Sequence, residues 1–243
     1  MIELVLLGSV VGLLSGFFGI GGGTILIPML LIAGFETKTA IGISVVQMVF
    51  SSIYGSYLNN KKGTLDVKMV SIIGLGGFGG ALLSGYIASF LSDKSLEIMF
   101  FAFASFALLR MFFKTHEDAE EKELHYLLLM LIGFVLGAFS MTIGVGGSIL
   151  LVPILVGFIH IPLRKATSAG LFFVVFSSVS GLISHAIEGH IEYQNGIIIG
   201  LASLFGVYLG IHLKERVSHR VQKRLLLAFY LFVVLYLAKR IFF

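Results

Sequence analysis

The chain has 243 residues, of which 57% are hydrophobic and 12% charged, with a formal net charge of +4 and no cysteine. So few polar side chains cannot cover a water-facing surface, and with a mean hydropathy of +1.02 the composition excludes a soluble globular domain. Lys and Arg are spread thinly between apolar runs, which argues against a nucleic-acid surface, and the lack of Cys rules out disulfides and thiol chemistry.

The apolar runs are continuous and close to the roughly 20 residues that cross a bilayer as helix, not the alternating ten-residue segments of a barrel. An all-α polytopic membrane protein is therefore expected. The first run, 2–34, has no basic region ahead of it and reads as structure, not as a signal peptide. As one helix it would approach 50 Å at about 1.5 Å per residue, well beyond the roughly 30 Å of hydrocarbon. It contains Gly19-Ile-Gly-Gly-Gly-Thr-Ile-Leu-Ile-Pro28, which supplies a break and a short second arm of about 11 residues. Pro28 is expected near the start of that arm, where its missing N–H costs little. Runs 39–58, 69–91 and 95–113 follow, and then a polar stretch, Lys114 to His125, which reads as a solvated linker. Runs 126–159, 166–185, 194–213 and 221–238 complete the chain, the first of them carrying Gly144-Val-Gly-Gly-Ser-Ile-Leu-Leu-Val-Pro153.

The second set repeats the first. At an offset of 125, Gly12, Ser15, Gly19, Gly21, Gly22, Leu26 and Pro28 meet Gly137, Ser140, Gly144, Gly146, Gly147, Leu151 and Pro153. One residue later in register, Ala40, Phe50, Ser51, Ser52, Gly55, Gly63, Gly74 and Gly80 meet Ala166, Phe176, Ser177, Ser178, Gly181, Gly189, Gly200 and Gly206. The expected organisation is a first repeat over 1–113, a linker over 114–125 and a second repeat over 126–243, joined in one membrane domain. Each repeat holds a broken or re-entrant first helix and three transmembrane helices.

Basic residues choose between two topologies. If each first segment crosses once, Lys and Arg divide 8 against 9 and predict no orientation. With re-entrant first segments the second half is inverted, and 13 (61, 62, 68, 110, 114, 122, 164, 165, 214, 216, 220, 223, 224) face 4 (38, 94, 239, 240). Only the inverted arrangement obeys the positive-inside rule; the basic Lys214 to Arg224 stretch is then a cytoplasmic anchor against anionic lipid headgroups.

A duplicated G-x-G-G-[GS]-x-x-x-x-P element, followed by a helix with Phe-Ser-Ser-x-x-Gly, resembles the TauE/SafE-type sulfite exporters over nearly the whole chain. The resemblance implies a bacterial or archaeal inner-membrane permease for sulfite, sulfonates or related oxyanions. It leaves the particular anion open.

Glycine breaks reach an anion independently. A helix that starts inside the bilayer presents unpaired N–H groups and the positive end of its dipole, and paired breaks in matching halves mark transporter sites. Candidate substrate ligands are Gly21, Gly22, Gly23 and Thr24 with Gly146, Gly147 and Ser148; Thr24 and Ser148 can cap the short arms or donate a hydroxyl. Ser44, Gln47 and Ser51 share a helical face, with Thr167 and Ser168 on the matching helix of the second half. The competing account of the glycines is close helix packing, the expected role of Gly76, Gly80, Gly206 and Gly210, and serines also bond their own helix carbonyls. His185-x-x-Glu188-x-His190 reads as ordinary surface residues at a helix end, because it lacks the i, i+4 pairing of a helical metal site.

No cofactor and no metal is called for. No Asp, Glu, Lys or Arg falls at the centre of a predicted span, so export driven by the inside-negative potential is preferred to proton coupling. An intramembrane enzyme would need a base beside a serine, and no histidine is placed mid-span; a divalent-cation carrier would need intramembrane carboxylates or His and Met clusters.

Overall fold

The computed structural model describes residues 1–112 and 125–242, and among these all regular structure is helical. The elements are α1 (Ile2–Phe18), α2 (Gly23–Ile32), α3 (Thr37–Lys61), α4 (Val67–Ala81), α5 (Ser84–Phe90), α6 (Asp93–Phe112), α7 (Tyr126–Thr142), α8 (Ser148–Gly157), α9 (Leu163–Ile187), α10 (Tyr193–Arg216) and α11 (His219–Phe242). Six helical stretches among the described residues are long and apolar enough to cross a membrane: α3, α4 with α5, α6, α9, α10 and α11. Apart from His125, the predicted linker 114–125 lies outside the described residues.

Local chemistry repeats where the sequence repeats. Asp66 caps α4 by accepting from the Met69 N–H, and Glu192, at the matching position, caps α10 by accepting from the Asn195 N–H. One departure is a step at Leu82 and Leu83 that separates α5 from α4, where its counterpart α10 runs unbroken.

The halves interlock through small residues. On α1, Gly8, Gly12 and Gly16 lie against the backbone of Ile199, Ser203 and Val207 on α10, and Gly206 and Gly210 return the contact to Ser9 and Leu13. On α7, Gly133 and Gly137 lie against Ile73 and Gly77 of α4, with Gly76 and Gly80 on Met130 and Phe134. A side chain at any of these positions would overlap main chain, so glycine is what allows the helices to approach so closely.

These contacts also give the directions. The numbers rise together in α1 with α10, in α3 with α10 (Val46 at Gly196, Phe50 at Gly200) and in α4 with α7, so each of those pairs runs the same way. Likewise Ser180 and Ser184 of α9 donate to the Phe78 and Leu82 carbonyls, setting α9 parallel to α4 and α5. By contrast α3 and α9 run in opposite directions: Gly42 abuts the His190 carbonyl, Ser52 meets Ser178 at 3.5 Å, and Thr64 meets Ser168 at 2.9 Å. Because α1 and α3 share a direction, the short α2 between them runs back alongside α3.

The two prolines sit deeper than their expected first-turn position. Each is the sixth residue of its short helix, inside α2 and α8, where a missing N–H leaves the carbonyl four residues earlier without its helical partner. In α8 that carbonyl belongs to Ile149, and the buried Tyr230 hydroxyl of α11 donates to it at 3.3 Å. Tyr230→Phe is expected to cost about 1 kcal/mol by leaving this oxygen unpaired; thermal unfolding in detergent measures it.

Candidate substrate site

Two short turns build the centre of the molecule. Residues 19–22 join α1 to α2, with Gly19 and Gly21 at φ of 67° and 72°; residues 143–147 join α7 to α8, with Gly144, Gly146 and Gly147 at 70°, 77° and 83°. A side chain would strain these left-handed positions, which is why glycine recurs at them. In α2 the first N–H groups to find a carbonyl are those of Ile25 and Leu26, both on Gly22; in α8 they are those of Leu150 and Leu151, both on Gly147. Gly23, Thr24, Ser148 and Ile149 thus open their helices with N–H groups free of intrahelical partners.

The turns lie side by side. Gly23 stands against the Gly144 carbonyl, Gly21 against the Ser148 side chain, and the Ser44 hydroxyl donates to the Gly144 carbonyl at 2.8 Å. Ser177, the repeat partner of Ser51, donates to the Gly146 carbonyl at 2.9 Å. Met48 Sδ and the Val174 methyls each touch both Gly21 and Gly146, so this pair straddles the meeting point of the turns. Gln47 presses its amide on Gly22, while its repeat partner Phe173 presses its ring on Gly147. The frame is thus duplicated and the chemistry is not, with an amide on one side and an aromatic ring on the other.

Polar atoms at this crossing are left over. Both side-chain atoms of Gln47 and the hydroxyl of Ser148 are fully buried and have no hydrogen-bond partner among the described residues. Such atoms cost free energy unless something else pairs with them. The helix caps are Gly22 and Gly147 without a side-chain bond; Thr24 bonds instead to the Ile20 carbonyl at 3.3 Å. Ser51 is turned back to the Met48 carbonyl, 3.4 Å away.

Thr167 and Ser168 lie elsewhere. The Thr167 backbone packs on Gly19, but both hydroxyls bond the Arg164 carbonyl, and Ser168 faces Thr64 and Lys214 at the far end of α3. Ser177 was among the polar residues expected on the matching helix, whereas Met48, Phe173 and Val174 escaped the sequence reading. The +126 register that pairs Phe50 with Phe176 also pairs Gln47 with Phe173 and Met48 with Val174, and would have located them.

Two further expectations are corrected. His185 is fully buried, not a surface residue: its ring bonds the Met141 carbonyl at 3.1 Å and lies 5.7 Å from the His190 ring. The cause is helix packing, since the Ser184 to His185 backbone lies on Gly85. Lys214 is 2% exposed and turned inward, whereas Arg216, Arg220 and Arg224 of the same stretch are exposed and free to meet headgroups.

His190, in the turn between α9 and α10, has its pKa lowered from 6.5 by burial and by Lys38, against a smaller opposing effect of Glu188. The unfolded chain then takes up a proton before the folded one, so this contribution to stability is whole above the ordinary histidine pKa and declines as pH falls through it. His190→Asn is expected to flatten the fall in thermal stability between about pH 7 and pH 5, measured by unfolding in buffered detergent.

The family model for the sulfite exporter TauE/SafE matches residues 4–237. The chain belongs to the TauE/SafE family. It is 24% identical to a probable membrane transporter protein of Bacillus subtilis, YunE, covering 88% of this chain and 89% of that protein. Another B. subtilis relative, YdhB, is 26% identical over 85% and 87% of the two chains, and a probable membrane transporter protein of Methanocaldococcus jannaschii is 26% identical over 88% and 86%. This TauE/SafE protein is a multi-pass membrane transporter, and the crossing of its glycine turns is the candidate place for the solute.

Proposed function

We propose that this TauE/SafE protein exports sulfite or a related sulfur oxyanion or organosulfonate across the inner membrane of a bacterium or archaeon, holding the anion at the crossing of the two glycine turns. The observation that carries the reading is the company those turns keep. Two helix starts meet there beside a Gln47 amide and a Ser148 hydroxyl that no group among the described residues satisfies. N–H, amide and hydroxyl donors with no carboxylate suit a solute that brings acceptor oxygens and negative charge. Gly21 to Thr24, Gly146 to Ser148, Ser44 and Gln47 are its proposed ligands. Thr167 and Ser51 support the turns, through the backbone on Gly19 and through the register of α3.

Met48 and Val174 close the crossing in this conformation. Methionine is unbranched and flexible, so its side chain is the gate that swings aside. Repeats 1–113 and 126–243 form one membrane domain in which the second is inverted, each first segment being a re-entrant hairpin from its own side. The opposed directions of α3 and α9, the return of α2 along α3 and the 13-against-4 division of Lys and Arg that the inverted arrangement gives from the sequence support it. With that face in the cytoplasm, the membrane potential contributes about 2.3 kcal/mol per charge per 100 mV toward export of an anion.

The test is flux in proteoliposomes with radiolabelled sulfite, sulfate and a divalent metal ion. Sulfite flux that grows with an imposed potential is expected; metal flux without anion flux overturns the reading. Met48→Phe is expected to lower anion flux at least tenfold with the protein still folded, because a rigid ring replaces the movable thioether; unchanged flux would remove Met48 from the gate.

A further inference from the structure

At the basic end of the α3 and α9 pair lies a second polar cluster that the crossing does not use. Lys214, in the last turn of α10, is 2% exposed, and its ammonium donates to Asn59 Oδ1 at 3.2 Å and Ser168 Oγ at 3.3 Å. Both acceptors are neutral. The nearby carboxylate of Glu215 is bound to Lys62 at 2.6 Å, and no carboxylate among the described residues is within ion-pair distance of Lys214. Arg164 adds a second cation at the edge; its Nη2 is held by the Glu215 and Val217 carbonyls, and its Nε is buried without a partner among the described residues.

Because an ammonium only donates, the Asn59 carbonyl oxygen must face Lys214, and the amide NH2 points away. That Nδ2 is buried, in a residue 1% exposed, and has no partner among the described residues. A buried cation with no carboxylate in contact among the described residues, beside an unused donor, describes a place for an anion. The fold itself does not require it. In the +126 register the opposite end of the molecule has Gly42 for Ser168, His185 for Asn59, His190 for Thr64 and Ala88 for Lys214, and it packs with no lysine at that position. Between Asn59 and the crossing, Ser56 and Ser52 continue the same face of α3, and the Ser56 hydroxyl is also buried and unpaired among the described residues.

We propose that Lys214 and Asn59, beside Ser168, form a second oxyanion-binding site, through which a sulfite-like or sulfonate-like anion enters the path to the crossing from the basic face. This rests on the reading of the protein as an oxyanion transporter.

The chain has no cysteine, so Thr64→Cys introduces a single thiol beside Ser168. Its alkylation rate by iodoacetamide is read with and without sulfate or methanesulfonate, anions that do not react with the reagent. At least threefold slowing by one of them is expected in T64C and in T64C with Gln47→Leu. The slowing should vanish with Lys214→Gln and with Asn59→Asp, whose carboxylate pairs the ammonium in place of the anion, and persist with Lys214→Arg. N59D creates an ion pair instead of orphaning a charge, so it keeps the test decisive if K214Q fails to fold. Equal protection in K214Q or N59D, or no protection in T64C, overturns the second site. Protection in a protein that carries no oxyanion in proteoliposomes would instead remove the transport reading and leave the site.

Discussion

Gly23→Ala is expected to abolish transport and to destabilise the protein by about 1–3 kcal/mol, the usual cost of overpacking. The added methyl would overlap the Gly144 carbonyl oxygen and stand 2.6 Å from Ser44 Oγ. A flexible side chain could yield, but the oxygen is main chain and sits in a turn whose left-handed glycine leaves it nowhere to go. Gly23 also opens α2, so a displaced turn moves the N–H groups that face the crossing. Thermal unfolding in detergent and sulfite flux check the two parts. A variant with wild-type flux would show that the contact between the turns is incidental to transport. Gly34→Ala is the useful comparison: a Cβ there meets nothing within 4 Å, although Gly34 has a φ of 90°, so strain without overlap can be separated from overlap.

Gln47→Leu should do something unusual for a core substitution: leave stability unchanged or raise it by about 1 kcal/mol while lowering anion flux at least tenfold. The amide is fully buried with neither polar atom paired among the described residues, so its removal relieves a desolvation cost that no contact among them offsets. If that cost is tolerated because the amide meets the anion, function is lost as stability is kept. Leucine is close in volume and, like the Phe173 ring opposite, rests on a glycine. Loss of both stability and flux would mean that Gln47 is structural; retention of both would mean that the amide never meets the solute.

Much of the architecture was legible because its causes are local. Too few polar residues forces a membrane protein, and glycine clusters inside apolar runs force helix breaks, so the end of α1 and the start of α8 fall where the motif places them. Gly76, Gly80, Gly206 and Gly210 pack helices as their spacing suggested. Pro28 and Pro153 were misplaced because a helix start depends on which glycine turns, and both arms begin earlier than the prolines imply. His185 was taken for a surface residue because burial at a helix end is decided by the neighbouring chain, here the step between α4 and α5, which leaves no hydropathy mark.

Composition and the 125-residue repeat thus determined, without any structure, that this is a duplicated helical membrane protein with two breaks, since hydropathy and backbone freedom belong to each segment alone. Only the tertiary structure decided that the breaks meet, that Met48 and Val174 stand between them, that Gln47 and Ser148 are unpaired and that Lys214 turns inward. Each of those depends on contacts between segments far apart in the chain, and packing, unlike hydropathy, is a property of pairs.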